Sequence, residues 1–246
     1  FWEQIAETVI GETVPEDWLF DSLIVDEGQD FDQTWVEILR LFLKPNADIA
    51  WLEDQDQDIY NRQPGPLEGM VGYNCNTNFR SPETIARFIH RVLPFDFENA
   101  NDLPGLGVGF EGYDQTEDQI KIVAHIVGQL IKQGFNHSDI VILTSHGHNH
   151  SVFSKLQKVG NYSLRQFTGD YDIFGNQVLT SGKLRFDSIY RFKGQQAPAV
   201  ILVDVDPSPE KLEQQLRLLY CGMTRATVKL ELVYNRSNDF CSRFWD

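Results

Sequence analysis

Asp21-Ser-Leu-Ile-Val-Asp-Glu-Gly-Gln-Asp30 is an apolar run that stops abruptly at adjacent carboxylates, which places acidic chemistry at the exit of a buried strand. A strand-end Asp can help to hold Mg²⁺ on nucleotide phosphates, and a neighbouring carboxylate can orient or deprotonate an attacking water. Those roles fall to Asp26 and Glu27, although an apolar strand ending in Asp-Glu also occurs at ordinary surface turns. On either side of this run, apolar and amphipathic stretches alternate. A helix is expected near Trp2–Ile10, a strand at Leu23–Val25, a helix from about Gln33 to Leu43 and a strand at Ile49–Leu52. Alternation of that kind predicts a parallel sheet sandwiched between helices.

The rhythm breaks at Asn61–Gly72, where Pro64, Gly65, Pro66, Gly69 and Gly72 read as a linker. Beyond it come a helix capped by Ser81-Pro82-Glu83, a long amphipathic helix opened by Thr116-Glu-Asp-Gln119 and closed by Gly134, and a strand at Ile140–Leu143. Another strand runs through Ala199–Val203. A helix starts at Ser208-Pro209-Glu210 and ends near Arg225, and a strand at Leu230–Tyr234 follows. The expected domains are therefore 1–72 and 73–246, the second a complete α/β unit.

The 246 residues are 41% hydrophobic and 12% aromatic, enough for one large or two modest cores. No stretch reaches the roughly 18 apolar residues that a membrane span needs, so no membrane partner is expected. A net charge of -15 argues against coating nucleic acid through bulk positive charge, but not against a local groove. Basic residues gather at Arg80, Arg87 and Arg91 and again at Lys183, Arg185, Arg191 and Lys193. Arg87, Lys183 and Arg185 read as solvated surface. Cys75, Cys221 and Cys241 are odd in number and lack metal-ligand spacing, which suits inert thiols in a reducing cytoplasm. The chain opens on Phe1 and has methionines only at 70 and 223, so a processed or truncated piece is expected.

Four further patches carry chemistry. Glu53-Asp-Gln-Asp-Gln-Asp-Ile-Tyr60 follows the second strand, at the carboxyl end where open α/β sheets bind ligands; Gln57 could feel a γ-phosphate there and Tyr60 could stack on a base. Asn76-Thr-Asn-Phe-Arg80 holds Arg80 at a helix start. Phe186-Asp-Ser-Ile-Tyr-Arg-Phe-Lys-Gly194 mixes basic and aromatic side chains with Gly194, which would let backbone approach a ligand. Leu219-Tyr-Cys-Gly-Met-Thr-Arg-Ala226 presents Arg225 as a candidate arginine finger. The tract His146-Gly-His-Asn-His150, with His137 nearby, reads as a polar turn after a strand rather than a metal site, and Ile122, Ile126 and Leu130 read as core.

In order and type these five patches resemble superfamily 1 DNA helicases of the UvrD/Rep type. Val25–Asp30 looks like the Walker B motif of that family, with Gly28 where an aromatic is usual. Asp56–Tyr60 matches its third motif, Asn78–Ser81 the fourth, Ile189–Gly194 the fifth and Tyr220–Ala226 the sixth. The resemblance implies RecA-like parallel sheets of the P-loop NTPase class, a partial first motor domain and a complete second one. It implies ATP and Mg²⁺ as cofactors and single-stranded or partly duplex DNA as partner, with a monomeric protein. Asp26 would bind Mg²⁺, Glu27 would activate water, Gln57 would couple the γ-phosphate to DNA, and Arg80 and Arg225 would contact that phosphate. Gly194 and Gln196 would lie by the nucleotide, and Tyr60, Tyr190, Arg191 and Lys193 by the strand.

The departures from the pattern are specific. Asn61-Arg62-Gln63-Pro64 stands where a stacking Trp and an Arg are usual, Tyr190 where a His is common, and Gln196 where a Glu is common. The stretch from Arg80 to Ser188 is too short for the large helical insertion of UvrD and Rep. No Gly-x-x-x-x-Gly-Lys-Ser/Thr occurs, and Gly105-Leu-Gly-Val-Gly109 reads as a plain loop, so a phosphate loop is expected upstream of Phe1. The resulting expectation is an ATP-dependent DNA helicase whose present piece is inactive alone. The alternatives are a non-catalytic helicase-like regulatory module and the helicase portion of a helicase–nuclease.

Overall fold

The computed structural model describes residues 8–60, 62 and 69–245. The chain divides into two compact units, Phe1–Asn74 and Cys75–Asp246. Most of the expected linker and most of the expected Trp2–Ile10 helix lie outside the described residues, with only 8–10 of the latter seen as helix.

In the first unit, β1 (Phe20–Val25) and β2 (Leu43–Trp51) pair in parallel through α1 (Gln33–Leu41). Asp32 caps α1 by accepting from the Thr34 amide at 3.0 Å. The helix stops at Leu41, short of the expected Leu43, because Leu43 is drawn into register with Phe20. β2 therefore begins six residues before Ile49 and ends at Trp51 rather than Leu52. An irregularity between the pairs Phe20–Leu43 and Ser22–Asp48 absorbs Pro45 and the left-handed Asn46. Val25, Val36 and Ile59 are buried, whereas Phe20 and Ile24 are largely exposed.

The second unit is built on seven strands in the order β5 (Val108–Tyr113), β13 (Ala226–Asn235), β12 (Ala197–Val205), β6 (Ile140–Thr144), β11 (Leu184–Ser188), β8 (Tyr162–Arg165) and β7 (Lys158–Val159). All neighbours are parallel except β7 and β8, and outside this sheet the short β3 (Thr77–Asn78) and β4 (Glu98–Asn99) pair in parallel. The central strands read as unbroken apolar runs, Ile140–Leu143 and Ala199–Val203, because both faces are covered. Ile140, Ile142, Ala199, Ile201 and Val203 meet Val123, Ile126, Val127 and Leu130 of α3 (Asp118–Lys132) on one face. Their neighbours Val141, Leu143, Val200 and Leu202 are also buried, and strand alternation turns them to the opposite face, where α5 (Leu212–Met223) packs. Gly222 permits that approach: a Cβ there would lie 2.8 Å from Ile189 and 3.0 Å from Leu202. Each fully buried aliphatic side chain in this core stabilises the fold by about 1.5–3 kcal/mol relative to exposure.

Two expected caps are used differently. α2 (Glu83–Val92) begins with no side-chain cap, because the Ser81 hydroxyl accepts from Asn78 instead. Gln119 does not cap α3; it is buried and reaches Asp204 on β12. The last helix is shorter than its start signal suggests, with Pro209–Lys211 forming a 3₁₀ turn before α5. Gly134, with φ of +102°, closes α3 as expected. Ile126 and Leu130 are core, and Ile122 packs half-buried against it. Among the described residues no helix is long and apolar enough to cross a membrane.

Candidate functional site

In the first unit the two acidic patches lie at the carboxyl ends of neighbouring parallel strands. Asp26 is exposed just past β1. Glu27 takes a left-handed conformation, φ 54° and ψ 41°, which an ordinary side chain adopts only when its surroundings enforce it. Its amide donates to Asp26 Oδ1 at 3.0 Å, and its carboxylate accepts from Gln29 Nε2 at 2.8 Å. Buried Gln29 in turn accepts from the Asp54 amide at 3.0 Å, and Asp54 accepts from Gln57 Nε2 at 2.6 Å. Glu27 and Gln57 are thus joined through Gln29 and Asp54, two residues for which the sequence reading named no role. The available signal was a glutamine and an aspartate close to the strand-end carboxylates.

Gly28 is accounted for by packing. A Cβ there would sit 2.3 Å from the Trp51 indole of the neighbouring strand. Tyr60 is 41% exposed, but the Arg62 guanidinium lies 5.4 Å from its ring centre and 4.5 Å from that of Trp35, occupying one face. Arg62 Nη1 also donates to the Asp30 carbonyl at 2.5 Å, so the cation is held there.

In the second unit the candidate residues other than Arg80 fall on two edges of the sheet. Gln196 and Arg225 lie at the amino-terminal edge, just before β12 and β13, and Arg80 follows Asn78 outside that sheet. The Asn78 side chain accepts from the Arg80 and Ser81 amides, leaving Arg80 exposed at the start of α2. The Ala197 amide donates to the Arg225 carbonyl at 3.0 Å, which sets Gln196 beside Arg225. Arg225 itself is 1% exposed; its Nε donates to the Cys221 carbonyl at 3.0 Å and its Nη2 to Thr224 Oγ1 at 3.3 Å. These bonds tie part of the guanidinium to the end of α5.

Tyr190, Arg191 and Lys193 lie at the opposite edge, on and just after α4 (Ile189–Phe192), which Ser188 caps. Gly194 supplies a positive φ of 78°, and a Cβ there would meet no other atom of the chain. Fully buried Asp187 accepts from Arg191 Nε at 2.7 Å and Arg185 Nη2 at 3.1 Å. Arg185 also donates to Gln195 and stacks on Phe192, so the expectation of a solvated Arg185 is corrected: the strand period turns it toward the buried carboxylate.

The three histidines of the His146–His150 tract go separate ways. His146 Nε2 meets Asp206 Oδ1 at 2.7 Å, and the His148 ring rests 5.2 Å from that of Phe186. Among the described residues no group of three or more His, Cys, Asp or Glu could hold a metal. The three cysteines are free, and burial, followed by the nearby Asp206 charge, leaves the Cys241 thiol pushed up to about 12.

The bond to Asp206 raises the pKa of His146 above its usual 6.5, against the opposing effect of burial. Because the folded pKa exceeds the unfolded one, this pair stabilises the fold fully below about pH 6.5, and the contribution is lost as pH rises through the folded value. His148 is shifted downward, chiefly by burial, and acts with the opposite sign. The stability difference between the parent and His146→Gln is therefore expected to shrink between mildly acidic and mildly alkaline pH. Urea unfolding of both proteins across that range checks this, and a pH-independent difference would refute it.

Residues 183–233 match the family model of the UvrD-like helicase C-terminal domain. The matched segment carries β11, α4, β12, α5 and most of β13, with Arg191, Gln196 and Arg225 inside it. Among solved structures, the C-terminal domain of a possible DNA helicase from Lactobacillus plantarum WCFS1 is similar at 18% identity and a TM-score of 0.49, covering 68% of this chain and 94% of that one. No curated protein matches the chain.

Proposed function

We propose that this chain is part of an ATP-dependent DNA helicase or translocase, contributing residues for magnesium–ATP hydrolysis and contacts to single-stranded DNA. The observation that carries the reading is the bonded path Glu27–Gln29–Asp54–Gln57 across the ends of two parallel strands, where open α/β sheets place ligand chemistry. The helicase-type match over residues 183–233 supports it independently.

Exposed Asp26 fits a magnesium ion of the nucleotide-bound kind, which needs only one or two protein carboxylates beside phosphate oxygens. Magnesium so bound would neutralise phosphate charge. Glu27, held by Gln29, would orient and deprotonate the water, and Gln57 would report on the terminal phosphate through Asp54. The chain's sequence holds no loop to cradle a β-phosphate. On its own, therefore, it is expected to hydrolyse ATP no faster than background. Robust turnover by the purified chain would contradict this placement of the chemistry.

A second reading, a non-catalytic helicase-like binding module, is favoured by the departures at Tyr190, Gln196 and Asn61–Pro64. A steady-state ATPase assay of a protein joining this chain to a phosphate loop, with and without oligonucleotide, separates the two. Strand-stimulated turnover supports the motor, and folded, ATP-binding protein without stimulation supports the module.

A further inference from the structure

We propose that the hairpin of β9 (Phe167–Tyr171) and β10 (Gln177–Leu179) is a stacking arm for single-stranded nucleic acid, with Tyr171 and Phe174 taking bases and Arg191 supplying positive charge at its foot. This rests on the nucleic-acid reading above and adds two aromatic contacts, Tyr171 and Phe174, that lie outside the helicase-like motifs.

The hairpin is anchored at its base. The Thr180 amide donates to the Gln166 carbonyl at 2.8 Å, the Gln166 amide to Thr180 Oγ1 at 2.9 Å, and Thr180 Oγ1 to the Leu164 carbonyl at 3.0 Å. Its tip is equally constrained. Asp172 accepts from the Phe174 and Asn176 amides at 2.9 and 2.8 Å and from Asn176 Nδ2 at 3.0 Å, while the Gly175 amide closes on the Asp172 carbonyl. The carboxylate charge of Asp172 is thereby engaged by the turn itself.

A turn bonded this fully would be expected to shelter its apolar side chains, yet Ile173 is 92% and Phe174 82% exposed. Tyr171 is 60% exposed, with its ring 5.2 Å from that of Phe167 on the same face of β9. The Arg191 guanidinium lies 4.9 Å from Phe167, completing a row from cation to Phe167 to Tyr171. Strand alternation sends Thr168 and Asp170 to the other face, so this face of β9 carries no carboxylate. A cation followed by rigidly held aromatic rings suits a flexible anionic chain with exposed bases, because every base can stack whatever its sequence.

The test is fluorescence anisotropy of a labelled oligothymidylate titrated with the full chain. Tyr171→Ala and Phe174→Ala should each weaken binding roughly tenfold, and the double variant more. Tyr171→Trp should retain affinity, with its indole emission quenched on binding, and Asp170→Ala on the opposite face should not weaken it. All these positions are exposed on a hairpin outside the core, so folding checked by circular dichroism is expected to be unaffected. Parent-like affinity in the double variant overturns the stacking arm while leaving the nucleic-acid reading intact; failure of the parent chain to bind overturns both. If the parent self-associates in sedimentation, the double variant does not, and oligonucleotide affinity is unchanged, the tip is a protein contact and the proposal fails.

Discussion

Asp187→Ala is expected to destabilise the second unit by about 3–5 kcal/mol, the cost of stripping a buried carboxylate from its charged partners. Asp187 is 1% exposed at its side chain, while Arg185 and Arg191 remain 26% and 23% exposed, so solvent relieves part of the stranded charge and the lower end is favoured. The loss is compounded because the Ser188 amide also donates to Asp187 Oδ1 at 2.9 Å. Asp187→Asn, which keeps the shape and one acceptor, should fall between parent and alanine variant. Urea midpoints with an unchanged m value measure the effect. A cost below about 1 kcal/mol would put this cluster in the class of ordinary surface ion pairs. A double-mutant cycle with Arg191→Met should show coupling, since the two side chains share a 2.7 Å bond.

The second large effect concerns Glu27 in a protein where a phosphate loop completes the site. Glu27→Gln should leave magnesium–ATP binding near that of the parent and lower turnover by roughly 10²–10⁴-fold, the usual contribution of a positioned general base. The substitution is conservative here, because a glutamine oxygen can still accept from Gln29 and Asp26 is untouched. Equilibrium binding and single-turnover hydrolysis, measured side by side, distinguish a lost base from a lost site. Turnover close to that of the parent would remove Glu27 from the chemistry and favour the binding-module reading.

The amino-terminal edge of the second sheet deserves a different expectation from the carboxyl edge. Gln196 and Arg225 come from segments far apart in sequence and are set side by side by the bond from the Ala197 amide to the Arg225 carbonyl. The rule that ligands bind at carboxyl ends of strands would not have gathered them there. Arg225 shows how local position and side-chain partners are decided separately. Its position after α5 follows from the helix ending at Met223, but its inward turn follows from acceptors at Cys221 and Thr224 that pattern alone does not aim.

Local sequence was sufficient for the central strands and for the closing of α3. Ile140–Leu143 and Ala199–Val203 are unbroken apolar runs, which only a strand covered on both faces accommodates, and Gly134 meets a backbone requirement of its own position. The carboxylates after β1 were legible as a strand exit, but the expectation of a buried strand is corrected, since only Val25 of β1 is buried. What tertiary structure alone decided is partnership. Ser81 and Gln119 carry good cap chemistry, yet Asn78 and Asp204 offer competing bonds, and in Gln119's case the partner lies 85 residues away. Arg185 looked solvated until strand alternation turned it to Asp187, and His146 looked like a turn residue until β12 delivered Asp206. Apolar periodicity is written into each segment because water acts on every residue alike. A polar side chain's role depends on which distant donor or acceptor the fold brings within about 3 Å, and that distance exists only once the chain is folded.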